Sequence, residues 1–283
     1  MTDPILRGRG EAGQGPQKSH ASHASHAVHA QVTAAPATPD VVDACRAFIE
    51  SDRLMGLADV PLRHRPVPAP TVSVGEPVSM PQGTRESCAA MLEELRERHD
   101  RECPHCTTAT AHKRTVFGEG DPCARLMFVG EAPGETEDEL GRPFVGKAGR
   151  KLDDMIQAIG LRREDCFIAN VLKSRPPDNR APLPHEVERC GPYLVEQLLI
   201  IRPRVIMTLG GPATKLLLKT DVGIMKLRGQ WSQWNAPPGS PIDSIPLMPT
   251  FHPAYLLRNY TQETRSQVWS DLKAVMQRLA ESA

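Results

Sequence analysis

The feature that most restricts the fold is an alternation that starts near residue 125 and runs to the end of the chain. Short apolar runs at 125–129, 166–172, 204–209 and 245–250 read as strands. Between and after them, helical spacing of apolar residues marks 148–159, 184–201, 211–218 and 262–280. Gly160 suits the stop of the first helix and Pro184 the start of the second, with Pro192 a candidate kink inside it. Strand–helix alternation calls for an α/β fold with a mainly parallel sheet covered on both faces. Ligands of such sheets bind beyond the carboxyl ends of the strands. The stretch Gly130–Gly134, Asn170, Gly210-Gly211 and His252 all fall at or just after those ends.

Each of these positions has chemistry to offer. The strand ending at Val129 runs into Gly130-Glu131-Ala132-Pro133-Gly134, where glycines permit close backbone approach and Glu131 sits at the mouth of the sheet. Asn170 closes a buried strand and brings one acceptor and two donors, enough to read the edge of a base; a turn-forming asparagine is the other reading. The run Phe251-His252-Pro253-Ala254-Tyr255-Leu256-Leu257-Arg258 joins a histidine to an apolar wedge and an arginine. That suits a hydrogen bond to a base, insertion into a base stack and a phosphate contact, or else a core histidine followed by an amphipathic turn.

Charge argues weakly in the same direction. The 283 residues carry 34 basic and 34 acidic side chains, which excludes a grossly basic nucleic-acid coat. Residues 201–283 nevertheless hold ten Lys/Arg against five Asp/Glu, while residues 40–102 hold eight against twelve. No stretch approaches the ~20 apolar residues of a membrane span, and the N-terminus lacks an apolar signal core, so an intracellular, cytoplasmic protein is expected. Seven cysteines include the pair Cys103-Pro104-His105-Cys106, which reads as metal or redox chemistry before disulfides.

The N-terminal region differs in kind. Residues 1–39 contain no aromatic residue and read as a disordered low-complexity tail; His20, His23, His26 and His29 recur every third residue and could bind a stray divalent metal. Residues 40–83 read as a short helix over 41–57 followed by a proline-rich linker. A further helix is expected from Thr84 to His99, opening a domain that spans 84–283.

Taken together, the segments GEAPGETED, RPFVGKAG, NVLKSRPPDNR, LGGPAT, LRGQW and FHPAYLLRN resemble the family 4 uracil-DNA glycosylases, the iron-sulfur-containing type. The likeness covers about residues 100–280. It implies a three-layer α/β/α sandwich around a four-stranded, mainly parallel sheet, and removal of uracil from uracil-containing DNA by a monomeric DNA-repair enzyme. It also implies that Gly130 and Glu131 line the uracil pocket, Phe144 stacks on the flipped base, Asn170 pairs with its Watson–Crick edge and His252 faces its O2. Glu131 and His252 are the expected catalytic pair. Arg175, Arg180, Leu256, Leu257 and Arg258 are the expected DNA contacts. The first family of these enzymes carries an aspartate in the matching GQDPY loop; here that position is Ala132, and Gly134 stands where that family has tyrosine.

The same resemblance implies a [4Fe-4S] cluster held by four cysteines. Cys103, Cys106 and Cys190 match three of them, but Ser174 stands where the remaining one belongs. A serine oxygen is harder and far less acidic than a thiolate, and so a poor substitute. Three outcomes are open: a cluster with an oxygen ligand at that corner; a replacement ligand from Cys166 or Cys123; or a labile or absent cluster, its cysteines structural or bound to zinc.

Overall fold

A computed structural model describes residues 83–109 and 111–281, and the readings for residues 1–39 and 40–82 lie outside the described residues. Helix α1 (Arg85–Glu102) leads, followed by β1 (Glu119–Gly120), β2 (Leu126–Gly130), α2 (Glu135–Leu140) and α3 (Lys147–Ala158). Then come β3 (Phe167–Asn170), α4 (Pro184–Ile201), β4 (Val205–Leu209), α5 (Gly211–Leu218) and α6 (Ile224–Leu227). The chain closes with β5 (Ser232–Asn235), β6 (Ser244–Thr250), α7 (Pro253–Arg258) and α8 (Gln262–Glu281).

The sheet has six strands in the order β1-β3-β2-β4-β6-β5. Its four central strands are parallel, as expected. The expected count of four is corrected by β1 and β5, short antiparallel strands that pair with β3 and β6 and close the two edges. Neither carried an apolar run, because an edge strand faces solvent and needs no continuous hydrophobic stretch.

Alternation along β2 shows why helices must cover both faces. Leu126 and Phe128 point into one core, with Leu152 and Ile156 of α3, Leu256 of α7 and Trp269 and Leu272 of α8. Met127 and Val129 point into the other, with Leu92 of α1, Leu194 and Leu198 of α4 and Leu217 of α5. Adjacent residues on opposite faces are the period-two geometry of a strand, so an all-apolar strand is a strand buried on both sides. The result is the three-layer α/β/α sandwich. Helix α4 is continuous through Pro192. Among the described residues no helix is long and apolar enough to cross a membrane.

Parallel register brings the functional loops together. Gly130 pairs with Asn170 and Leu209 with Thr250, so the chain leaves β2, β3, β4 and β6 at one edge of the sheet.

Candidate active site and metal centre

A cleft of about 400 Å³ opens at that edge. Its walls include Glu131, Phe144, Asn170, Arg180, His252 and Arg258. Gly130 lies against two of these walls: a Cβ placed there would lie 2.4 Å from Asn170 Oδ1 and 2.4 Å from Phe144 Cζ. Only a residue without a side chain lets those two groups approach over the end of β2.

Asn170 is 1 % exposed, and its Oδ1 has no hydrogen-bond partner among the described residues. An unpaired buried carbonyl costs about 1–3 kcal/mol, so in a cleft wall it marks a place where a donor on a ligand is wanted.

Phe144 is held in a left-handed backbone conformation, φ +49°. Bulky residues adopt this region rarely and at a cost. The cause is a double clamp. Glu137 Oε1 accepts the N–H groups of Val145 at 2.8 Å and Gly146 at 2.7 Å. Arg163 donates to the carbonyls of Phe144, at 3.1 Å, and Pro143, and is itself held by Glu119 at 2.7 Å and Asp153 at 2.8 Å. Neither Glu137 nor Arg163 stood out in the sequence as a site residue. Glu137 lies within the acidic run after the glycine loop, but nothing in spacing alone ties it to Phe144.

His252 caps α7: its Nδ1 accepts the Ala254 N–H at 3.1 Å. A ring nitrogen that accepts is unprotonated, so the proton of the neutral imidazole sits on Nε2. Burial, with help from the Arg258 charge and against Glu137, pushes the His252 pKa down to about 4. The ring is therefore a neutral Nε2–H donor at neutral pH, and its centroid lies 5.6 Å from that of Phe144. Burial also raises the Glu131 carboxyl above its ordinary value.

The expected DNA contacts divide. Leu257 is exposed, and Arg258 lines the cleft. Leu256, expected as part of the wedge, is 1 % exposed and packs in the core against the sheet, so it is unavailable to a partner. Arg180 lines the cleft but is committed to Glu186 through bonds of 2.8 and 2.6 Å. Arg175 donates to Asn179 at 2.8 Å and stands 3.9 Å from Glu135.

On the α1/α4 side of the sheet lies a second cluster. Cys103, Cys106, Cys190 and His99 are all buried, and one ligand atom from each falls within 4.8 Å of the others. Cys106 and Cys190 sulfurs are 3.8 Å apart. Hydrogen bonds from Cys106 and Cys190 hold the Cys103 thiol well below its usual range, while hydrogen bonds with Cys103 and Cys106 push Cys190 far up. Three sulfur donors and one imidazole nitrogen buried side by side are the ligand types of a soft or borderline metal. The donor set thus fits a metal centre. The alternatives Cys166 and Cys123 are not part of it. Cys166 belongs to the core on the opposite face of the sheet, and the Cys123 thiol points to the Gly83 carbonyl at 3.8 Å. His99 was missed, although its i, i+4 spacing from Cys103 puts both on one face of a helix end.

A family model for the uracil DNA glycosylase superfamily matches residues 117–273. This chain belongs to that superfamily, within its type-4 group. It is 44 % identical over 185 residues to the type-4 uracil-DNA glycosylase of Thermotoga maritima, covering 64 % of this chain and 93 % of that one. Identity to the type-4 enzyme of Saccharolobus solfataricus is 42 % over 185 residues, covering 64 % and 83 %. A type-5 uracil-DNA glycosylase of Pyrobaculum aerophilum matches at 35 % over 121 residues, 38 % of this chain and 53 % of that relative.

Proposed function

We propose that this chain excises uracil from DNA by hydrolysing its N-glycosidic bond, leaving an abasic site. The observation that carries this is the unpartnered Asn170 Oδ1, facing Phe144 across Gly130 in a cleft with His252. Uracil offers an acceptor at O4 and a donor at N3–H. Asn170 matches both, Oδ1 accepting from N3–H and the amide donating to O4. Cytosine reverses both groups and would leave the buried amide facing like against like, which is how a hydrogen-bonding site rejects an analogue.

The base must leave the duplex to reach the cleft, at a cost of a few kcal/mol. Stacking on Phe144 offsets part of it, on the order of 1–3 kcal/mol. Cleavage moves the bonding pair of N1–C1′ onto uracil, leaving a cation-like sugar and a base anion. The His252 Nε2–H faces the O2 oxygen on which that charge grows, and a neutral donor fixed in place before reaction helps most where charge develops. Glu131, as carboxylate, holds a water and takes its proton as the water oxygen bonds to C1′.

The centre of Cys103, Cys106 and Cys190 is proposed to hold a [4Fe-4S] cluster. When bound, the group acts as a cross-link between the end of α1, the 103–106 loop and α4. No step of the excision passes through it.

A labelled uracil oligonucleotide incubated with the protein, treated with alkali and run on a denaturing gel tests the reading. Cleavage at the uracil position is expected. Intact DNA sinks it, and a protein–DNA band that survives denaturation would point to a covalent trap instead.

A further inference from the structure

We propose that His99 supplies the fourth protein ligand of the metal centre, giving a three-cysteine, one-histidine set, and that Ser174 stands outside the coordination shell. The proposal rests on the reading of a metal centre in this chain and names the residue that stands in for the cysteine missing at Ser174.

The geometry around His99 is that of a prepared ligand. The side chain is fully buried at the last turn of α1, one turn before Cys103. Its Nδ1 lies 2.8 Å from Asp100 Oδ1. A carboxylate only accepts, so Nδ1 carries a proton and Nε2 is the nitrogen left to take a metal. Asp100 is in turn held by the Thr115 hydroxyl at 2.9 Å. The Nε2 atom points into the sulfur cluster, 3.3 Å from Cys106 Sγ. A carboxylate that fixes the tautomer of a histidine from behind is the usual support of a metal-ligating imidazole. Phe117 and Tyr193 wedge the ring, with centroids at 5.7 and 4.8 Å, and leave it little freedom to turn away.

Ser174 is engaged otherwise. Its Oγ lies 3.4 Å from Cys106 Sγ and 3.2 Å from His105 Nε2. It bridges a ligand and a neighbouring histidine, the place of a hydrogen-bonding support. A serine hydroxyl is also neutral at ordinary pH and a weak partner for a thiolate-rich metal.

Charge agrees with the count of ligands. Lys173 is fully buried; its ammonium donates to the Asn170 carbonyl at 2.8 Å and the Gln197 amide oxygen at 2.7 Å, with no carboxylate partner among the described residues. Three thiolates and a neutral imidazole around a doubly positive centre leave one net negative charge, which one lysine balances. A buried charge needs such a counter-charge.

The test uses the full-length protein purified anaerobically, with metal per chain, inorganic sulfide and X-ray absorption at the edge of the co-purifying metal. The natural protein and Ser174→Ala should both hold metal with three sulfur scatterers and one nitrogen per protein-ligand set. His99→Cys should keep the metal and exchange the nitrogen for sulfur. His99→Ala should lower metal per chain by roughly tenfold or more, and Asp100→Ala should shorten retention against a chelator by roughly tenfold while leaving the ligand set unchanged. Circular dichroism of each variant separates metal loss from failure to fold, and His99→Cys keeps the question open to refutation if His99→Ala does not fold. Full metal in His99→Ala with an unaltered edge spectrum overturns the proposal, as does loss of metal in Ser174→Ala alone. A natural protein without metal overturns both this and the metal-centre reading beneath it. Iron with sulfide, against zinc without it, distinguishes a cluster from a single ion, and either outcome with nitrogen ligation supports His99.

Discussion

Lys173 donates from its buried ammonium to the backbone carbonyl of Asn170 at 2.8 Å, and its own amide reaches Cys190 Sγ at 3.3 Å. One residue thus ties the Asn170 end of β3 to the cysteine cluster. Lys173→Met keeps an unbranched side chain one atom shorter and removes the donor. It leaves the Gln197 amide oxygen without its partner, a cost of about 1–3 kcal/mol. We expect a lower melting temperature, a fall in metal retention and a fall in kcat/KM for uracil excision. Thermal melting, metal analysis and single-turnover gels check the three together; a change in stability alone would mean that Lys173 supports the core without linking the two sites.

Gly130→Ala tests the approach of Asn170 to Phe144. The new methyl would lie 2.4 Å from both Asn170 Oδ1 and Phe144 Cζ, closer than real contacts allow. Both side chains would have to move, and displacement by about 1 Å can cost on the order of a hundredfold in rate. The loss should appear in kcat/KM for uracil-DNA while far-UV dichroism stays unchanged. Near-full activity would show that the two groups need not meet over Gly130.

These two sites differ in how far the sequence disclosed them. The central strands and the helices between them were legible because burial on both faces forces apolar runs and helical periodicity, as in Leu126–Val129 and α4. The edge strands β1 and β5 were not, since solvent-facing pairs such as Glu119–Gly120 carry no such pattern. Asn170 and His252 stood out at the ends of predicted strands and Phe144 through the family resemblance, and all three line one cleft. Their supports did not stand out: Glu137 acts on Val145 and Gly146, and Arg163 on Phe144, across sequence gaps that no local period marks. His99 was overlooked for a different reason, because attention to cysteine spacing hides a histidine one helical turn earlier.

The neighbours Leu256 and Leu257 should respond in opposite ways. Leu256 is a core residue, so Leu256→Ala should destabilise the fold by roughly 2–5 kcal/mol. Leu257 is 43 % exposed on the short helix that follows His252. Leu257→Ala should leave the melting temperature nearly unchanged and reduce excision from duplex more than from single-stranded DNA, because only the duplex needs a wedge in its stack. Equal losses on both substrates would remove the wedge role.

A chain beginning at Thr84 should retain the excision rate. The N-cap of α1 survives in it, since the Thr84 hydroxyl accepts the Ser87 N–H at 3.2 Å. All residues of the cleft and of the metal centre lie beyond that point. Rates of the truncated and full-length proteins, compared on the same oligonucleotide, decide it. A large loss in a correctly folded truncated chain would assign residues 1–83 a part in DNA binding or catalysis.

The pH profile should separate the two groups proposed to act in catalysis. His252 is held at about 4 in the folded chain, against 6.5 as its ordinary value. The unfolded chain therefore takes up the proton first. The stability contributed by the neutral imidazole is complete above about 6.5 and is lost as pH falls towards 4. Within that window the folded enzyme still presents a neutral Nε2–H donor, so His252 does not limit activity there. Glu131 is raised above the usual carboxylate range by burial and must be ionised to take a proton from water. In the proposed role it should set the acid limb of kcat, at a pH above that of an ordinary glutamate. Glu131→Gln should flatten that limb and lower the plateau, whereas His252→Ala should lower the plateau by about a hundredfold or more and leave the limb in place. An acid limb that persists in Glu131→Gln and vanishes in His252→Ala would exchange the two assignments.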